Sequence, residues 1–302
     1  SYTSDDQEVH PNNNRLDDKI RYEIEDGDGD KSLANKTFRV TDTVAEMKPE
    51  STFVDEDDLP DGSGNIKEPL TFTKALEITP KEDDILDVKF IDADIQTFVG
   101  QYQSAEQDLD YVFDDHNVLV YVKGTVATDP DNQIFEITLN PDTVDYSNST
   151  YTFTLLGNLD HPDAGGENVL KLKIPVSLQE TDDLFSKNIT VVVTDDVPTA
   201  NDDAQQNIVE GASTALGGNV ITDATTPDTE GADGAVLKNF SYAGAAGSST
   251  TVDLTDGADH TVGTATGALT VNQDGTWSFV PIASFDHDNN CLLYTSPSPR
   301  DS

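Results

Sequence analysis

A chain of 302 residues with 58 acidic and 17 basic side chains, formally −41 at neutral pH, is long enough for two cores but lacks the basic surface that binds a phosphate backbone. No apolar run approaches the roughly 18 residues of a membrane span, and no basic segment followed by an apolar stretch marks a signal peptide at Ser1. The acid is spread evenly, with 44 acids and 15 bases in residues 1–199 and 13 acids and one base in residues 200–290, so the whole chain repels itself and stands to gain from bound cations; halophilic adaptation is the alternative origin of the charge.

Ile20, Tyr22 and Ile24 alternate with polar residues, the period-two pattern of a half-buried strand. An acidic turn follows, Asp26-Gly27-Asp28-Gly29-Asp30, and then a second short strand over residues 37–40. Residues 37–44, TFRVTDTV, return as residues 190–197, TVVVTDDV, with five of eight positions identical at an offset of 153. Internal repetition outranks any local motif in reading architecture. Residues 1–48 therefore read as the end of one repeat and 49–197 as a complete repeat.

Within 49–197, strand signals recur between turns: Leu70 and Phe72, Leu76 and Ile78, Leu86 with Val88 and Phe90, the run 118–122, Phe135 with Ile137 and Leu139, and Tyr151 with Phe153 and Leu155. The clearest is Leu170, Leu172, Ile174, Val176 and Leu178, with Lys171, Lys173 and Pro175 on the opposite face; the proline predicts an edge strand or a bulge. Turns rich in Pro, Asp and Gly separate these strands at 60–64, 129–132 and 162–166. Residues 104–113 are expected to hold one helical turn. Many short strands without a long helical period predict an all-β fold of tandem Ig-like or cadherin-like β-sandwiches.

Three valines end the second repeat, and Asp195, Asp196, Pro198, Asn201, Asp202 and Asp203 then form an acidic junction. From 198 the composition turns to Gly, Ala and Thr. Val236, Leu237, Phe240, Val252, Leu254, Leu269, Val271, Trp277, Phe279 and Val280 are expected to supply a second, smaller β-core that is cut off near Asn290, with a hairpin turn at 272–275. Residues 291–301, CLLYTSPSPRD, back-translate to a transposase adapter used in sequencing libraries, so 291–302, with the only cysteine, are expected to be non-native.

The segments 53–63 (FVDEDDLPDGS), 70–73 (LTFT), 151–162 (YTFTLLGNLDHP) and 194–200 (TDDVPTA) resemble the long repeat of type I-secreted giant bacterial adhesins of the RTX type. Residues 201–288 resemble a VCBS or cadherin-like repeat through NDDA at 201–204, Glu210-Gly211, Gly218-Asn219-Val220 and NQDGTWSF at 272–279. The resemblance implies a non-enzymatic, calcium-dependent extender segment, exported to the cell surface or medium and serving adhesion and biofilm formation. Its implied partners are calcium and neighbouring repeats of the same chain, with surface glycans or proteins engaged through other domains. A sugar- or peptide-binding module, or accessory repeats of a secreted hydrolase, are the alternatives. The chain departs from the pattern at Glu180-Thr181-Asp182-Asp183, where such repeats carry a turn like that at 26–30.

Calcium takes six to eight oxygen ligands, and three groups are candidates. Asp26, Asp28 and Asp30 form the first; a solvated acidic turn is the plain alternative. They are not an EF-hand, because Lys31 and Thr37 stand where that motif needs Gly and Glu. The second is Asp42 with the run from Asp55 to Asp58, Asp55 and Asp57 foremost, and the third is Asp195, Asp196, Asp202 and Asp203, both read as joints between domains. The five histidines show no zinc spacing, and His161 reads as a turn residue.

Overall fold

Strict alternation, Leu172, Ile174, Val176 and Leu178 inward and Lys171, Lys173 and Pro175 outward, makes residues 169–180 the central strand of the molecule's largest core. The computed structural model describes residues 15–162, 166–181, 183–222, 225, 227–243 and 249–283. The 291–301 tail, His10, His287, Asp182 and most of the small-residue loop at 243–250 lie outside them. The chain divides into two compact units at Val197/Pro198. Both are built of strands, and the fold is all-β.

The first unit begins with an antiparallel hairpin of β1 (Arg15–Glu25) and β2 (Lys31–Thr41). Next come β3 (Glu46–Met47), β4 (Thr52–Asp55), β5 (Thr71–Ala75), β6 (Ile78–Thr79) and β7 (Ile85–Lys89). Helix α1 (Asp92–Val99) precedes β8 (Gln103–Ser104), β9 (Gln107–Asp114) and β10 (Asn117–Val122). The unit ends with β11 (Gln133–Asn140), β12 (Thr150–Leu155), β13 (Val169–Glu180) and β14 (Leu184–Thr194). One sheet has the order β5-β12-β11-β10-β9-β8 and the other β4-β14-β13-β7. Their inner faces bury Val118, Phe135, Ile137, Tyr151 and Phe153 from the first, and Leu172, Ile174, Val176, Val191 and Val193 from the second. At about 1.5–3 kcal/mol for each fully buried large apolar side chain, these faces supply the main driving force for the unit. Phe135 stacks on Phe153 with ring centroids 5.5 Å apart.

Residues 104–113 are not helical. Ser104 pairs with Gln107 across a two-residue turn in which Ala105 and Glu106 both take positive φ, of 48° and 61°, the geometry that joins twisted antiparallel strands. The helix lies earlier, where Ile95, Phe98 and Val99 at i, i+3 and i+4 are buried and Asp92 and Asp94 favour the N-terminal end of the dipole. Eight residues are too few for its period to stand out. Pro175 sits on the half-exposed face of β13, outside the stretch Ser177–Glu180 that pairs with β7, so its missing N–H costs the ladder nothing there.

The hairpin β1–β2 repeats β13–β14 in register. The pair Ile20↔Lys36 corresponds to Ile174↔Ile189, 154 and 153 residues later, and Tyr22↔Ala34 and Ile24↔Ser32 correspond to Val176↔Lys187 and Leu178↔Phe185. Ile174, Val176 and Leu178 are 0% exposed, whereas Ile20, Tyr22 and Ile24 are 49%, 46% and 60% exposed.

The second unit contains β15 (Leu216–Asn219), β16 (Asn239–Ala243), β17 (Ser249–Asp253), β18 (His260–Gly263), β19 (Gly267–Val271) and β20 (Thr276–Pro281). Its sheets have the orders β15-β20-β19-β18 and β16-β17. The 272–275 turn joins β19 to β20 as the sequence predicts. Gly275 takes φ 82° there, and a Cβ at that position would lie 2.6 Å from Asn219 Oδ1, so only glycine fits. The expected core is only partly formed among the described residues: Leu254 and Val271 are buried and Ile221 joins them, while Val236 and Val280 are exposed and Trp277 and Phe279 half-buried. Two small sheets offer too little opposing surface to cover all of those positions.

Candidate cation-binding sites

Parallel pairing of β4 with β14 sets Val54 beside Val193 and Asp55 beside Thr194. Both chains leave the sheet at the same end, so the acidic run 55–58 and the acidic pair 195–196 emerge side by side. Asp55 accepts from the Asp57 N–H at 3.2 Å and starts the 3-10 turn Glu56–Asp58. The Asp58 carboxylate accepts from Glu68 N–H at 2.6 Å. Asp196, itself buried, accepts the Ser63 N–H at 2.7 Å and the Ser63 hydroxyl. Gly62 closes this loop against the turn: a Cβ there would lie 2.4 Å from the Glu56 carbonyl oxygen and 2.6 Å from that of Asp57. Lys67 reaches over the same turn and donates to the carbonyls of Asp57 and, at 2.8 Å, Gly62.

Burial, joined by the charge gathered here, raises several carboxyl pKa values. Burial is the main cause at Asp55, with Asp57, Asp58 and Glu167 adding repulsion against the hydrogen bond from Asp57. Asp57 is raised by burial, Asp58 and Asp196, with Lys67 opposing. Asp195 is raised by burial and by Asp196, with His161 opposing. Such a concentration of anionic groups draws cations.

Behind the acids lies a histidine. His161, in the loop after β12, has a side chain only 3% exposed, and its Nε2 lies 3.5 Å from Oε1 of the fully buried Glu56. Burial works against its protonation, but Glu56, Asp195 and Asn168 outweigh it, and its pKa is raised. Glu56 Oε1 also accepts the Leu159 N–H at 2.9 Å. Asn168 joins the other side: its Oδ1 lies 3.2 Å from His161 Nδ1, and its Nδ2 donates to Asp195 Oδ2 at 3.0 Å. Glu56, His161 and Asp195 hold their ligand atoms within 4.8 Å of one another. Three of the segments that carry the resemblance, 53–63, 151–162 and 194–200, thus meet at one end of the sandwich.

Asp26, Asp28 and Asp30 form a second group on the turn of the β1–β2 hairpin, with ligand atoms also within 4.8 Å and all three side chains exposed. The turn is shaped by Asp30 N–H donating to Asp26 Oδ1 at 2.8 Å and by Gly29 N–H donating to the Asp26 carbonyl at 3.2 Å. The Asp26 carboxyl is held below its usual range, first by the hydrogen bond from Asp28 and then by the Asp30 N–H.

The structure therefore gathers the expected residues differently from the sequence reading. Asp55 and Asp57 meet Asp195 and Asp196 inside the first unit. Asp42, half-buried just after β2, is the counterpart of Asp195 one repeat earlier. Asp202 and Asp203 belong to the second unit, where both are exposed and Asp203 borders a cleft of about 350 Å³ lined also by Ile208, Leu216 and Trp277. Sequence reading missed Glu56, His161 and Asn168: a lone histidine in a turn shows its ligands only once the chain is folded. No helix among the described residues is long and apolar enough to cross a membrane. Neither a family model nor a curated protein sequence matches the chain.

Proposed function

We propose that the chain is an extender segment of a large secreted, calcium-dependent adhesin, in which tandem β-sandwiches project a distant binding domain for cell adhesion and biofilm formation. The observation that carries this reading is the in-register repetition of β13–β14 by β1–β2, 153 to 154 residues apart. A chain that duplicates a sandwich hairpin at domain spacing is built as an array, and modules that contact mainly their neighbours suit a mechanical role. The second unit is read as a VCBS or cadherin-like repeat continuing that array outside the cell.

Calcium is assigned to the oxygen-only groups: Asp26, Asp28 and Asp30 on the hairpin turn, and the carboxylates at the end of the first sandwich, Asp55, Asp57 and Asp196 among them. An all-oxygen donor set suits this ion, and backbone carbonyls and water complete its six to eight ligands. Bound calcium neutralises the repulsion that adds to burial in raising Asp55 and Asp57 and stiffens the segments that carry them. Small-angle scattering and circular dichroism of the whole chain, with calcium and with chelator, test the reading. Calcium should narrow the distribution of dimensions at constant β-signal; identical scattering in both conditions would remove calcium stiffening from the account.

A further inference from the structure

The group Glu56, His161 and Asp195 differs in kind from the other acidic clusters because it contains a nitrogen donor, and that donor is buried and aimed. Asn168 fixes its state. The amide Nδ2 donates to Asp195 Oδ2 at 3.0 Å and to the Gly166 carbonyl at 3.2 Å, so Oδ1 is the atom facing His161 Nδ1, 3.2 Å away. An amide oxygen accepts only, so Nδ1 carries the hydrogen. In neutral His161 the lone pair therefore sits on Nε2, the atom that points at Glu56.

That Nε2 is buried and makes no hydrogen bond. Its separation from Glu56 Oε1 is 3.5 Å, longer than the roughly 2.7–2.9 Å of a charge-assisted hydrogen bond. Two ligands on a tetrahedral zinc ion, each bonded at about 2.0–2.1 Å, stand about 3.3 Å apart. The spacing thus fits a shared ion better than a shared proton. The surrounding pattern fits too: a ligating histidine typically donates its other ring N–H to a fixed acceptor that sets tautomer and orientation, and Asn168 does this for His161 while also holding Asp195.

We propose that Glu56, His161 and Asp195 bind a divalent transition-metal ion of the zinc class, through His161 Nε2 and a carboxylate oxygen from each acid, with a fourth position open to water. One imidazole with two carboxylates is a donor set for such ions, whereas calcium takes oxygen. Asn168 is a positioning residue. The site goes beyond the extender reading and does not depend on it.

The test is zinc titration of the metal-stripped full chain by calorimetry in excess calcium, so that oxygen-only sites are already filled. A single zinc should bind. Folded His161→Gln should lose it while keeping the calcium response, and Asn168→Ala should weaken it by about 10–100-fold. His116→Asn with His260→Asn should leave it unchanged, since those two histidines lie elsewhere, against Asp87 and Asp256. X-ray absorption on the zinc-loaded wild type needs no variant to fold: it should show one nitrogen among oxygen ligands at about 2.0–2.2 Å. No zinc retained in calcium, an all-oxygen shell, or undiminished binding by folded His161→Gln would each overturn the proposal.

Discussion

Glu180 Oε1 accepts the backbone N–H of Ala45 at 2.9 Å across 135 residues, and both residues are buried. The bond ties the entry of the sandwich to the end of β13, where the turn into β14 begins. In the register of the repeated hairpin, 154 residues earlier, the counterpart of Glu180 is Asp26, which is exposed and turned toward Asp28 and Asp30. One position thus serves as an internal staple in one copy and as part of an acidic turn in the other. Glu180→Ala leaves the Ala45 N–H unsatisfied and should lower stability by about 1–3 kcal/mol in urea unfolding. Asp26→Ala loses only solvent-exposed hydrogen bonds, such as that from the Asp30 N–H, and should shift the midpoint far less in chelator. Equal effects would show that the buried staple is worth no more than the exposed turn.

The two hairpins also predict opposite responses to the same deletion. Ile174 is fully enclosed between the sheets, so Ile174→Ala should cost about 2–5 kcal/mol. Its counterpart Ile20 lies on an exposed face, and Ile20→Ala should fall within about 0.5 kcal/mol of wild type. Denaturation of the two variants side by side measures the difference.

Much of this fold is legible in the sequence because period-two alternation reports a strand with one buried face. The strand through Leu170 to Leu178 and the turn at 272–275 are read correctly for that reason. Helix α1 is not, because eight residues give only one apolar repeat, and the tight turn at Ala105-Glu106 lacks the Asn or Gly that would announce it. The candidate sites divide the same way. Asp26, Asp28 and Asp30 converge because they are local. Asp55 and Asp195 converge because β4 pairs with β14 in parallel, a relation that spacing along the chain does not encode. His161 is brought to Glu56 by the same closure.

Gly62 packs against the carbonyl oxygens of Glu56 and Asp57 more closely than any Cβ permits. Gly62→Ala must push the 3-10 turn away from the 60–64 loop and stretch the Ser63 bonds to Asp196. Overpacking of this kind should cost about 1–3 kcal/mol. The same variant should reduce cation affinity at this end of the sandwich, which calcium titration followed by tyrosine fluorescence would detect. A calcium response identical to wild type would place the ions away from this turn.

The pH dependence of the metal-free protein follows from the direction of four shifts. His161 has its folded pKa raised above its ordinary 6.5. Its contribution to stability is therefore fully present below that value and is lost as pH rises through the folded pKa. Asp55, Asp57 and Asp195 are raised above 3.8, so their protonated forms also favour the folded chain, and that contribution is lost as pH rises through their folded values. All four act in one sense. The exposed carboxyls held low, such as Asp26 and Asp274, act in the opposite sense, but only as pH falls toward about 4 and below. In chelator, the urea midpoint should therefore climb as pH drops from about 8 to about 5. His161→Gln should remove the part between about 8 and 6 and leave the rest. A wild-type midpoint that falls between pH 8 and 6 would mean that Glu56 and Asp195 do not stabilise the protonated ring.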